Sequence, residues 1–348
     1  MGCTSSTATT TGAGTNSAAP ALTRTQAREV FDAYVAATGR GTRAGDAALA
    51  LSLTAGVQHA VASAALTSGT FFRTAPSAAA QPGYSEYAYG TPAFYLPEPA
   101  GYPRFFVADV RQTLKGRAPS DGFAHRVGGV ELPVNGPALL VFEQASASAP
   151  WLLGSDSQLP PGLTLPRLAT DKNGYVPQVP LSATTLLARP DVTGPLQAAV
   201  VDDGQASAAT RAVAAGPLTT GLYQGARAHV QGLITPPGDV YQWELEGTPF
   251  STFALRIASG GALVLYSMYL NATVAVPDVI NKAAPIRPGA PIQVPRDLLP
   301  LLPPGKTTPA KSLESQQLLS FAAIDPPAAP AKITVIAIGG GTDYAVAS

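Results

Sequence analysis

The sequence predicts an α+β protein of two similar domains, each with N-terminal helices packed on a curved antiparallel β-sheet. Three observations predict it. Short apolar runs of strand length are bounded by Gly and Pro, helix-period segments precede those runs in each half, and short phrases recur in the same order in both halves. The expected division is a tether over residues 1–20, a first domain over 21–180 and a second over 181–348.

Composition sets the outer limits. Hydrophobic residues make up 46% of the 348 and charged residues 13%, against a usual charged share of about 25%. Disorder goes with the opposite balance, so the bulk of the chain is a folding sequence. Lys+Arg and Asp+Glu both number 22, and no basic run occurs, which argues against a nucleic-acid-binding face. Cys3 is the only cysteine, leaving no disulfide framework and no thiolate metal site. No stretch reaches the roughly 18 consecutive apolar residues of a membrane-spanning helix.

Residues 4–20 have neither charge nor apolar periodicity and read as a flexible tether. The folded part opens with a marked helix start. Thr23 and Gln26 have capping-box spacing, with Leu22 placed for a staple. Ala27, Val30, Phe31, Tyr34 and Val35 then form one helical face. Gly39–Gly45 is expected to end this helix, and Asp46 to cap a second running through Leu49, Leu53, Val57 and Val61.

Strands are expected at Arg104–Val110, Ala138–Phe142 and Trp151–Gly154. The second half repeats the order. Helical segments fall at Leu196–Val201, Ala206–Val213 and from Thr219, and strands at Val240–Leu245, Thr252–Ile257, Ala262–Leu270, Leu318–Ile324 and Lys332–Ile338.

Three phrase pairs suggest duplication. Leu53–Val57 is answered by Leu218–Leu222, Arg104–Ala108 by Thr252–Arg256, and Gly136–Phe142 by Gly260–Tyr266. The plain alternative is that hairpins reuse Gly-x-Ala-Leu-Val wording. Pro177–Thr193 is the expected boundary. The Pro-rich stretch Pro285–Pro309 reads as a surface loop, because Pro cannot donate to a sheet ladder.

Residues with catalytic potential are sparse. His59, His125 and His229 lack partners at metal-ligand spacing, and no Gly-x-Ser-x-Gly elbow occurs. Asp171–Gly174 reads as a tight turn rather than a calcium loop. Asp202-Asp203-Gly204 reads as a solvated helix end, and Gly339–Gly341 as a turn into a last short strand.

The aromatic density between Tyr84 and Phe106 stands out, with Pro interleaved. Tyr84, Tyr87, Tyr89, Tyr95, Tyr102 and the later Trp151 are therefore candidate ligand-binding residues. The competing reading makes these rings domain core. No catalytic residue, metal or cofactor is predicted.

Gly2-Cys3 before a Ser/Thr-rich tail resembles the mature start of a bacterial lipoprotein, in which that cysteine carries the lipid. The Met-Gly-x-x-x-Ser pattern of myristoylation is the rival. Gly101–Val107, Ala149–Leu153, Leu165-Pro166, Asp171–Tyr175 and Ser259–Val264 resemble a family of uncharacterised actinobacterial lipoproteins. That resemblance implies a protein tethered at Cys3 to the outer face of the cell membrane, with no known chemistry.

Helices followed by a curved antiparallel sheet also suggest, by fold-level analogy, tandem NTF2-like cones. The function expected is a non-catalytic, lipid-anchored surface protein that binds a small molecule or a protein partner, not nucleic acid. The alternative is an enzyme with an acid–base pocket of the NTF2-like type, for which Asp109 is the carboxylate nominated.

Overall fold

A computed structural model describes residues 22–44, 46–67, 87–98, 101–114, 125–133, 135–233, 240–275, 292, 294, 298–303, 305, 309 and 311–348. Helix α1 (Arg24–Ala44) starts at the expected capping box. The Thr23 N–H donates to Gln26 Oε1 at 2.8 Å, and the Gln26 N–H donates to Thr23 Oγ1 at 3.2 Å. The helix runs through Gly39 and Gly41, so those glycines do not end it.

The single second helix expected after Asp46 is two: α2 (Ala47–Ser52), capped by Asp46, and α3 (Gly56–Thr67). They are parted because the chain at Leu53–Ala55 is drawn onto a strand. The Ala55 N–H donates to the Leu153 carbonyl, and the Leu153 N–H donates to the Leu53 carbonyl. Satisfying these backbone groups on the sheet outweighs helical periodicity.

The first half then carries β1 (Tyr87–Tyr89), β2 (Ala93–Tyr95), β3 (Arg104–Leu114), a small hairpin of β4 (His125–Val127) and β5 (Val130–Leu132), β6 (Asn135–Gln144) and β7 (Leu152–Gln158). The second half carries α4 (Thr193–Asp203), α5 (Thr220–Leu233), β8 (Val240–Gly247), β9 (Phe253–Arg256), β10 (Ala262–Ala275), β11 (Ser312–Asp325) and β12 (Thr334–Ala347). All but β4 and β5 join one antiparallel sheet in the order β1-β3-β6-β7-β12-β11-β10-β8, with β2 also on β3 and β9 also on β10. The strands of the two halves are thus hydrogen-bonded into one open sheet, joined where Ile338 of β12 pairs with Gln158 of β7.

Each half has the same strand order. In the first, β1 and β2 lie end to end along β3, which pairs β6, which pairs β7; in the second, β8 and β9 lie end to end along β10, which pairs β11, which pairs β12. The interruption between the end-to-end strands is Gly90-Thr91-Pro92 in one half and Gly247-Thr248-Pro249 in the other. The parallel bridge Thr54 to Leu153 has its counterpart in Val213 to Ile333. By strand order β3 corresponds to β10 and β6 to β11. Two of the three phrase pairs therefore joined strands that are not equivalent, Arg104–Ala108 with β9 and Gly136–Phe142 with β10.

Three cores follow from alternation along these strands. Phe106, Ala108, Val110, Leu140 and Phe142 pack against α1 through Phe31 and Ala27. Val264, Tyr266, Met268, Phe321 and Val335 pack against α4 and the start of α5 through Val200, Val201, Leu218 and Leu222. The opposite faces share the third core, in which Phe105, Val107, Leu139 and Val141 meet Phe253, Leu255, Leu263 and Leu265.

Phe105 and Phe253 stack with ring centroids 4.0 Å apart. Six strand steps separate β3 from β9, which lies beyond β10, roughly 29 Å in a flat sheet. The sheet therefore folds back on itself with helices outside, in four layers α/β/β/α.

Gly339–Gly341 is not a turn: β12 passes straight through it. A Cβ at Gly339 would collide with the Asp156 carbonyl, and one at Gly340 with the Leu318 carbonyl. Glycine is there for close approach of β7 and β11. Of the Pro-rich stretch, Ile292, Leu298 and Leu302 pack on Val274, Leu313 and Ala345 at the strand ends; residues 285–291, 293, 295–297, 304 and 306–308 lie outside the described residues.

Candidate functional site

The apolar face under α1 becomes polar towards one end. Alternation puts Gln112 on the same face of β3 as Phe106 and Val110. Its register partner on β1 is Tyr89, two residues after Tyr87 on the same face. On β6 the residues facing Gln112, Val110 and Ala108 are Gly136, Ala138 and Leu140, and Leu140 faces Asp156 of β7.

Because Gly136 and Ala138 are small, the Gln112 side chain crosses over β6. Its Nε2 donates to Asp156 Oδ2 at 3.1 Å. From above, α1 supplies Tyr34, edge-on to Phe142 with ring centroids 5.4 Å apart. The Tyr34 and Tyr89 hydroxyls lie near enough to affect each other's ionisation. Tyr89 lies 5.7 Å from the Phe31 ring and 6.4 Å from Tyr87.

Burial sets the electrostatics. It pushes the Asp156 carboxyl up to about 6, against the opposing hydrogen bond from Gln112. Burial first, and then the nearby Asp156 charge, lift the Tyr34 hydroxyl to about 12. Tyr87 and Tyr89 are raised as well, again by burial first. Gln112 is 3% exposed, and its Oε1 has no hydrogen-bond partner. The cluster therefore joins a carboxylate and an unpaired amide oxygen, with tyrosine hydroxyls nearby.

The sequence-nominated residues divide. Tyr87 and Tyr89 join this cluster. Tyr95 sits on the opposite face, where its hydroxyl donates to Asp109 Oδ2 at 3.2 Å, so Asp109 does not share a site with the tyrosine cluster. Tyr102 is 43% exposed under the Arg104 guanidinium. Trp151 packs edge-on against Phe106 as part of the core. Tyr84 and Cys3 lie outside the described residues.

Sequence reading missed Tyr34, Gln112 and Asp156. The available signal was polar residues on otherwise apolar faces: Gln112 ending a strand and Asp156 within Leu152–Gln158.

Other groups resolve singly. Asp202 and Asp203 are exposed at the end of α4, as expected, and Asp202 also accepts the Leu245 N–H at 3.0 Å, tying α4 to β8. Asp171 accepts the Asn173 and Tyr175 N–H groups with Gly174 at φ +83°, the turn expected. His59 lies on α3 with Nδ1 3.3 Å from Thr54 Oγ1. His125 begins β4 and His229 lies in α5; the side chains of these two lie outside the described residues.

Apart from this cluster, a cavity of about 160 Å³ lies where the halves meet, lined by Gly56, Glu143, Ser155, Ser251, Phe253 and Ser267 among others. The Glu143 side chain lies where a Cβ at Gly154 would be, and burial pushes its carboxyl up to about 7. Among the described residues no cluster of His, Cys, Asp and Glu could hold a metal ion, and no helix is long and apolar enough to cross a membrane.

Residues 18–343 match a family described as a domain of unknown function, DUF8094, through both halves. The chain belongs to this family. It is similar to an uncharacterised lipoprotein of Streptomyces coelicolor, 27% identical over 251 residues, covering 71% of this chain and 67% of the relative. A second uncharacterised lipoprotein, from Streptomyces avermitilis, is 26% identical over 250 residues, covering 71% and 65%. The chain thus spans about two thirds of the length of the curated relatives it matches. No solved structure matches it.

Proposed function

We propose that this DUF8094 protein is a non-catalytic protein lipid-anchored to the outer face of the cell membrane, and that it binds a small ligand between α1 and the first half's sheet. One observation carries the binding reading. Gln112 Oε1 and Asp156 are buried or half-buried acceptors left without sufficient donors, at the polar end of an otherwise apolar face. A buried acceptor without a donor costs of order 1–3 kcal/mol, so a bound donor is the economical explanation. The Gly2-Cys3 start and the relatives described as lipoproteins support the anchor at Cys3.

We further propose that the halves are tandem copies of one NTF2-like unit. The shared strand order, the matching Gly-Thr-Pro interruptions and the paired bridges Thr54–Leu153 and Val213–Ile333 support this. An acid–base enzyme is the second reading. Asp156 favours it over Asp109 as the nominated base, because its carboxyl, raised to about 6, lies among tyrosine hydroxyls.

The test is native mass spectrometry of the protein purified with detergent from the cells that make it. A lipid increment on Cys3 and a non-covalent small molecule are expected. A bare, detergent-independent chain would overturn both parts of the proposal.

A further inference from the structure

We propose that the ligand in the Tyr34–Tyr89–Asp156 site carries a primary ammonium group, bound by the Asp156 carboxylate and Gln112 Oε1 against the tyrosine rings. This rests on the binding reading above and names its ligand class.

The inference is a matter of donors and charge. Asp156 accepts one hydrogen bond, from Gln112 Nε2 at 3.1 Å. That bond aims one end of the Gln112 amide at the carboxylate and leaves Oε1 buried and unpaired. What Asp156 and Gln112 Oε1 lack, among the described residues, is donors rather than acceptors.

The site also lacks a positive charge. Among the described residues no Lys, Arg or His pairs with Asp156. Each alternative ligand fails one of these counts. An anion would meet the Asp156 carboxylate and supply no donor. A neutral polyol would supply donors but leave the charge uncompensated in a half-buried place. A metal ion would find one carboxylate where it needs several oxygen ligands.

A primary ammonium has three donors and a unit charge, and tyrosine faces favour a cation near their centroids. Tyr87 and Tyr89, with ring centroids 6.4 Å apart, and Tyr34 from α1 supply aromatic rings near the carboxylate. A quaternary ammonium would satisfy the charge but not Gln112 Oε1, so the N–H donors are part of the claim.

The experiment is calorimetric titration of the full chain with putrescine and with glucosamine, each set against its neutral match, 1,4-butanediol and glucose. At least one amine is expected to bind tenfold or more tightly than its neutral match. Asp156→Asn should cut that amine's affinity at least tenfold and leave the neutral match unchanged. Gln112→Met, which keeps the charge and removes the acceptor, should cut it severalfold, and serves if Asp156→Asn fails to fold. Putrescine alone binding points to linear amines, and glucosamine alone to amino sugars.

Equal binding of amine and neutral match, lost in Tyr34→Phe, would overturn the ammonium assignment while leaving the binding site standing. No binding by either amine also overturns the assignment. Amine binding indifferent to both Asp156→Asn and Gln112→Met would place the ligand elsewhere and sink the site with it.

Discussion

Asp156 holds a carboxylate where the fold gives it one hydrogen bond and much lost solvation. Because its folded-state value is raised from 3.8 to about 6, the folded protein binds its proton more readily than the unfolded chain does. The sign follows: this group adds stability as pH falls through about 6 towards 4, and withholds it above. A displacement of this size corresponds to about 3 kcal/mol. Asp156→Asn, which keeps the shape and removes the charge, should therefore stabilise the ligand-free protein by up to about 3 kcal/mol at pH 8 and by little at pH 4. Urea denaturation at the two pH values reads this directly. Destabilisation at pH 8 would mean that a cation already compensates the carboxylate. Glu143, raised to about 7 by burial, acts with the same sign, and its cavity at the seam makes it the second residue to watch.

At the scale of elements, the glycine run of β12 is the most exacting segment. Gly339→Ala places a methyl against the Asp156 carbonyl and should cost about 2 kcal/mol or more, by the overpacking and backbone shift it forces. Gly225→Ala in α5 meets open space and should be neutral or stabilise by up to about 1 kcal/mol, by helix propensity. Thermal melts of the two variants together separate close approach from a general intolerance of alanine.

The same strand shows what the sequence made legible. Its apolar run named β12, and the Thr23–Gln26 spacing named the start of α1, because periodicity and caps are local. Whether Gly339–Gly341 turns or runs straight depended on how near β7 and β11 come, which no local pattern records. The split of α2 from α3 likewise came from a hydrogen bond to Leu153, a partner about a hundred residues away. Tyr87 and Tyr89 were found because aromatic density is visible in one window. Tyr34, Gln112 and Asp156 escaped because they come from three separate elements and meet only through strand register.

For the whole molecule, the shared core matters more than the boundary between halves. The Phe105–Phe253 stack and the β7–β12 pairing couple the two sets of strands, so neither half keeps its full core alone. Urea unfolding should give one transition, coincident by tyrosine fluorescence and far-ultraviolet circular dichroism. Two separated transitions would mean that the halves fold as independent units.

The proposal of a ligand site under α1 joins these scales, and native mass spectrometry of the cell-purified protein, wild type beside Asp156→Asn, tests it most directly. A non-covalent small molecule on the wild type that is missing or much reduced on the variant is the result predicted. The same mass on both proteins, bare or with an identical adduct, would contradict it.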